Sequence, residues 1–198
     1  AFVGLLGLEN ELSADDIQKF TDFALSINYP PNPIRALDNT LTISQAEGRR
    51  IYLEDDVVDD QQCNTCHKLS PENGQFGTAG LMSVEGPAII EDFKVPHLRN
   101  LYQKVGMFGH SGRFIPDGPS ENMGQQIKGF GYLHDGSVDI LSHFLSAEVF
   151  DLESLDKRQH LENFLLAFGS EQAPIVGQQV TINSENSSAQ LTKLELLK

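Results

Sequence analysis

Cys63-Asn64-Thr65-Cys66-His67 is where this chain gathers its reactive side chains: two thiols separated by two residues and followed at once by an imidazole. Three chemistries use such a set, namely thiol redox, zinc binding and thioether attachment of a haem. The chain has no other cysteine, so a disulfide framework is excluded. Zinc needs two further ligands at compatible spacing, and His97, His110, His134, His143 and His160 contain no His-x₃₋₅-His pair. A thioredoxin-like dithiol belongs beside a βαβ pattern, which this helical and loop-rich sequence lacks. Attachment of a c-type haem uses every residue type present. The thiols add to its two vinyl groups and the adjacent imidazole reaches the iron.

The elements that must position this pentapeptide are mostly helical. Ser13 to Asn28 carries Ile17, Phe20, Phe23, Ala24 and Ile27 at helical spacing behind a Ser13…Asp16 cap. Tyr29-Pro30-Pro31-Asn32-Pro33 stops that helix, and Pro30 to Thr42 is expected to run extended, on or beside the next unit. Ser44-Gln45-Ala46-Glu47 is a capping-box pattern that opens a second helix, to about Leu53. Asp55, Asp56, Asp59 and Asp60 come next and read as a solvated acidic loop, since the ligand spacing and central glycine of an EF-hand are missing. Leu69 to Gly136 is rich in glycine, proline and polar residues, so something other than secondary structure, such as a large apolar cofactor, must organise it. Helices are expected again over Val138 to about Val149 and about Leu155 to Phe168, the latter stopped by Gly169. A β-prone piece from Ile175 to Ile182 then precedes an irregular tail.

With 198 residues and a formal charge of −14, the chain is long enough for one cored domain with extensions and too acidic for phosphate backbones or anionic lipid. No nucleic-acid partner is expected. No stretch approaches the roughly 20 apolar residues of a spanning helix.

The pentapeptide and its surroundings resemble the class I, mitochondrial-like c-type cytochromes. Gly48-Arg49-Arg50-Ile51-Tyr52 is similar to the family's Gly-x-x-x-Phe/Tyr signature, in which the glycine lets the first and last helices cross closely. Leu161 and Phe164 would supply the other side of that crossing. Gly86-Pro87 is similar to the family's Gly-Pro, whose proline carbonyl accepts from the ligand histidine. Phe93-Lys94-Val95-Pro96-His97-Leu98-Arg99-Asn100 and Leu133-His134-Asp135-Gly136-Ser137 resemble segments of bacterial di-haem cytochrome c peroxidases and MauG-like proteins. Those enzymes carry two haem motifs where this chain has one. The resemblances imply an all-α cytochrome c fold of three to five helices over about residues 44–169, flanked by a helical arm at 1–43 and a tail or linker at 170–198.

An electron carrier needs a second axial ligand. Met82 precedes the Gly-Pro segment and Met123 sits in polar surroundings, whereas Met107 is flanked by glycines and by Val105 and Phe108, which can close a haem pocket. Met107 is therefore expected on the iron opposite His67, with His134 and then His110 as alternatives. Arg99 is the candidate partner of the haem propionates, supported by Asn100, with Arg113 secondary. Pro96, Tyr102, Phe108 and Tyr132 are expected near the pocket.

Together these features predict one-electron transfer by one covalent haem c with His/Met ligation, rather than an enzyme. The alternatives are a peroxidase-like oxidoreductase with an exchangeable sixth ligand, and a haem-based sensor or structural module. The charge predicts a redox partner with a basic docking patch. The family resemblance implies a bacterial periplasmic or extracellular location, and the flanks are expected to join further domains of a larger exported protein.

Overall fold

The computed structural model describes residues 7, 9–84, 91–106, 129–136, 138–152, 154–185 and 187–198. Met107, Phe108, Pro87, His110, Arg113 and Met123 lie outside the described residues. Helix α1 (Ala14–Ser26) starts at Ser13, whose hydroxyl accepts from the Asp16 amide, and it buries none of its residues. Helix α2 (Ile43–Glu54) precedes the pentapeptide, where Cys63–Cys66 forms the single-turn helix α3 with His67 as its C-cap.

Two small sheets correct the expectation of an all-α fold. Strands β1 (Leu69–Ser70) and β2 (Gln75–Phe76) pair antiparallel, and so do β3 (Met82–Val84) and β4 (Asp92–Lys94), giving a mixed architecture of helices and strands. Glycine-rich sequence that cannot hold a helix satisfies its backbone here by local pairing. Gly74, left-handed at φ +68°, closes the first hairpin.

Helices α4 (Leu101–Lys104), α5 (Leu141–Phe144), α6 (Leu155–Leu166) and α7 (Ser188–Leu196) complete the α-helices among the described residues. The helix expected over 138–149 is thus only one turn. Val138 exchanges backbone hydrogen bonds with Tyr132, and Ile140 is extended, which confines the helix to the next four residues. The stretch 175–182 forms no strand, and the tail ends in α7, started by a Ser187–Gln190 capping box, instead of staying irregular. None of the helices among the described residues is long and apolar enough to cross a membrane.

The core lies where α2 crosses α6. An added Cβ on Gly48 would stand 2.0 Å from the His160 carbonyl oxygen and 2.8 Å from Phe164 Cβ, so only glycine permits this approach. Tyr52, one turn on, is fully buried and meets Phe164 and Phe168 edge-on at 5.4 and 5.8 Å between ring centroids. Leu161, Leu141, Leu101, Tyr132 and Phe76 continue the same cluster, and Cys63, Leu69 and Leu98 pack against its edge. The start of α2 differs from the sequence expectation by two residues. Thr42, not Ser44, is the cap, boxed with Gln45. The Ser44 hydroxyl instead meets His160 Nδ1 at 2.8 Å and accepts from Asn163 Nδ2, tying the two helices together.

The Pro-rich connector docks on the end of α6. Buried Asn32 donates from Nδ2 to the carbonyls of Leu166 and Phe168, at 2.8 and 2.9 Å, and its Oδ1 accepts from the Ile34 amide. Arg35 Nη1 donates to the Ala167 carbonyl. These side chains satisfy helix-end carbonyls that have no partner within the helix.

Candidate functional site

Three pieces of chain converge on the pentapeptide. Helix α3 places Cys63 and Cys66 three residues apart on one turn, hence on one face. Cys63 is half-buried at the core edge, where burial pushes its thiol up to about 11, and Cys66 is exposed. Tyr52 reaches in from α2 and donates its hydroxyl to the His67 carbonyl, fixing the end of the turn to the helix crossing.

The imidazole of His67 is held by two further segments. Its Nδ1 lies 2.9 Å from the Gly77 carbonyl oxygen and 3.1 Å from that of Pro96. Carbonyls only accept, so Nδ1 carries the proton and Nε2 keeps its lone pair. Burial holds the ring's pKa below its usual value, against the opposing pull of the two carbonyls, and so favours the neutral form. A neutral imidazole with Nε2 unprotonated is the state that ligates a metal.

Gly77 is the residue that sequence reasoning missed. It comes directly after β2 at φ +89°, and a Cβ there would come within 2.5 Å of Leu98 Cγ and 2.6 Å of the Leu98 nitrogen. The hairpin therefore lies directly against the Pro96–Leu98 stretch, joined by Leu98 N–H donating to the Phe76 carbonyl at 3.0 Å. A glycine beside Phe76, ten residues after the histidine, was the available signal, in a segment with several other glycines. Pro96 carries one of the two carbonyls facing the ring. Pro87, to which the resemblance gave that role, lies outside the described residues.

Arg99 is mostly buried. One guanidinium nitrogen, Nη1, pairs with Glu171, and the group lies 4.2 Å from the Tyr29 ring centroid and 5.4 Å from that of Phe76. Its Nε is buried with no hydrogen-bond partner among the described residues. An orphaned cationic donor two residues after His97 and three after Pro96, whose carbonyl faces His67, fits a carboxylate such as a haem propionate. Asn100, by contrast, enters α4 in the left-handed region at φ +61°, and its buried atom without a partner among the described residues is the acceptor Oδ1, which does not complement a carboxylate.

Tyr132 is a core residue whose hydroxyl donates to the Leu101 carbonyl at 2.8 Å, and burial raises its pKa. Tyr102 is half-buried on α4. His134 sits exposed in the Leu133–Gly136 turn and stacks on Phe93 of β4, with centroids 4.8 Å apart, so the two peroxidase-like segments do meet. His143 Nδ1 lies 2.6 Å from Asp139 Oδ1, and His160 is engaged by Ser44. In the acidic loop, Asp55 pairs with Arg50 at 2.6 Å and Lys157 at 3.2 Å, which holds its carboxyl below the usual range. Among the described residues no group of three or more His, Cys, Asp or Glu side chains is arranged to hold a metal ion.

Compared with protein-family models, curated proteins and solved structures, the chain finds no match.

Proposed function

We propose that the chain is a one-electron carrier in which Cys63 and Cys66 bind one haem covalently and His67 ligates its iron. The observation that carries this reading is the His67 imidazole, set beside two thiols on one helical turn, with Nδ1–H committed to the carbonyls of Gly77 and Pro96 and Nε2 left to donate its lone pair. When bound, such a haem supplies reversible Fe(III)/Fe(II) chemistry. The protein residues do the rest. Tyr52 and the Gly48 crossing hold the turn on a rigid core, which limits rearrangement between oxidation states. The buried Arg99 Nε, without a hydrogen-bond partner among the described residues, supports a propionate-binding role. Met107 is proposed as the second iron ligand, on its glycine-flanked place in the sequence, with Phe108 closing the pocket. Partner docking through a basic patch, and export to the periplasm or beyond, belong to the same proposal.

The test is expression of the chain alongside a c-type haem attachment apparatus. Expected are a haem that survives denaturing electrophoresis, its loss from the Cys63→Ala/Cys66→Ala double variant, and a weak long-wavelength absorption band that Met107→Ala abolishes. Retention of the low-spin spectrum in Met107→Ala removes that residue from the iron, and a chain that takes up no haem refutes the reading. A spectrum altered by hydrogen peroxide would instead favour a peroxidase-like enzyme.

A further inference from the structure

Tyr29 stands in the Pro-rich connector, ahead of the expected haem unit at 44–169. Its hydroxyl lies 2.7 Å from His97 Nε2, and the two rings meet edge-on at 4.7 Å. The Arg99 backbone N–H donates to His97 Nδ1 over 3.2 Å. A ring nitrogen that accepts from an amide carries no proton, so Nε2 holds it and donates to the Tyr29 oxygen. Both nitrogens of His97 are thereby used, and the 96–99 turn is pinned at its second residue. The Arg99 guanidinium packs on the same tyrosine ring and pairs with Glu171 of the tail. Two segments from outside the expected haem unit thus close on the turn whose Pro96 carbonyl faces His67.

We infer that Tyr29 is a positioning residue for His67: acting through His97, it holds the Pro96 carbonyl against the ligand imidazole. The inference rests on the haem reading and extends it, giving the N-terminal arm a share in setting the ligand's basicity. A carbonyl at Nδ1–H makes the imidazole a stronger donor and favours the more highly charged iron, so slackening that bond raises the reduction midpoint. Gly77 keeps its own carbonyl on the ring, so the change is partial.

The experiment compares haem-loaded full chains carrying Tyr29→Phe, His97→Ala or His97→Gln. Tyr29→Phe keeps the ring against Arg99 and removes only the hydroxyl. The readouts are the midpoint and the ¹⁵N-resolved Nδ1–H signal of His67 in the reduced state. A threefold shift of the redox equilibrium, roughly 30 mV at 59 mV per tenfold, is expected upward for Tyr29→Phe and His97→Ala, with the Nδ1–H proton moving upfield. His97→Gln, which retains a donor and an acceptor, should stay close to the original protein. Unchanged midpoint and Nδ1–H signal in Tyr29→Phe overturn the inference. It also falls if Asp55→Asn, which loosens the fold away from the turn, moves both readouts equally far. A chain that takes up no haem sinks the haem reading alone. The Nδ1–H signal then still decides the positioning role, by moving with Tyr29→Phe or by standing still.

Discussion

Replacing Gly48 with alanine sets two effects of opposite sign against each other. In an exposed helix the change is stabilising by about 1 kcal/mol, because alanine loses less backbone entropy. Here the new methyl would stand 2.0 Å from the His160 carbonyl oxygen and 2.8 Å from Phe164 Cβ, where ordinary contact begins near 3.4 Å. The first obstacle is helix backbone and cannot swing aside, so α2 and α6 must part by about 1 Å or more. That opens the Tyr52, Phe164 and Phe168 ring cluster, whose neighbouring centroids are 5.4 to 5.8 Å apart. Overpacking costs about 1–3 kcal/mol, and a backbone clash belongs at the top of that range. The net expectation is about 2 kcal/mol of destabilisation, or roughly 4–8 °C in Tm for a chain of this size. Urea unfolding monitored by far-ultraviolet circular dichroism measures it. Gly169→Ala is the control, because a Cβ there meets nothing closer than Arg35 Nη1 at 3.7 Å, and it should be close to neutral. If Gly48→Ala is as stable as the original protein, or more so, helix propensity governs and the close crossing is not there.

Three further outcomes are expected. Asn32→Ala leaves the Leu166 and Phe168 carbonyls and the Ile34 amide without their partner and should cost about 3 kcal/mol; a shift in urea midpoint worth under about 1 kcal/mol would mean that the arm is not docked. Gly77→Ala combines a left-handed backbone with a clash on Leu98, so a loss of about 3 kcal/mol should accompany a weakened Nδ1–H bond of His67, read by nuclear magnetic resonance. His97 is depressed to about 4, first by burial and then by the charges of Arg99, Lys104 and Lys94. Its folded pKa lies below the unfolded value of about 6.5, so its contribution is complete above that value and is lost as pH falls toward 4. Histidine titration should find this imidazole neutral at pH 5.5, and His97→Gln should flatten that limb of the stability curve.

The chemistry of the site was legible because it is local. Two thiols and an imidazole stand within five consecutive residues, and Gly48 and Tyr52 stand one helical turn apart ahead of them, as a close crossing with a buried aromatic requires. The cap of α2 was less legible, because Thr42…Gln45 and Ser44…Glu47 both satisfy the capping-box pattern. Packing chose between them by drawing the Ser44 hydroxyl onto His160 and Asn163. The apolar residues after Val138 match a helix by spacing, yet Val138 is held by Tyr132 from across a turn. The β-prone 175–182 stretch finds no strand to pair with, and a strand without a neighbour leaves its backbone unsatisfied.

By itself the sequence determined the reactive set, the long helices near 14–26, 43–54 and 155–166 and the lack of cysteines for a disulfide framework, since each depends on residue type or near spacing. Tertiary structure decided what faces the imidazole. The Pro96 carbonyl on His67, the Tyr29–His97 contact and the pairing of Arg99 with Glu171 join residues far apart in the chain, while the Gly77 carbonyl on His67 and the Arg99 amide on His97 span shorter stretches, and three of these partners act through backbone atoms. Every residue carries the same carbonyl and nearly every residue the same amide, so no residue type marks which of them will meet. Only the fold, by laying the β1–β2 hairpin and the N-terminal arm against one turn, makes those particular groups the surroundings of His67.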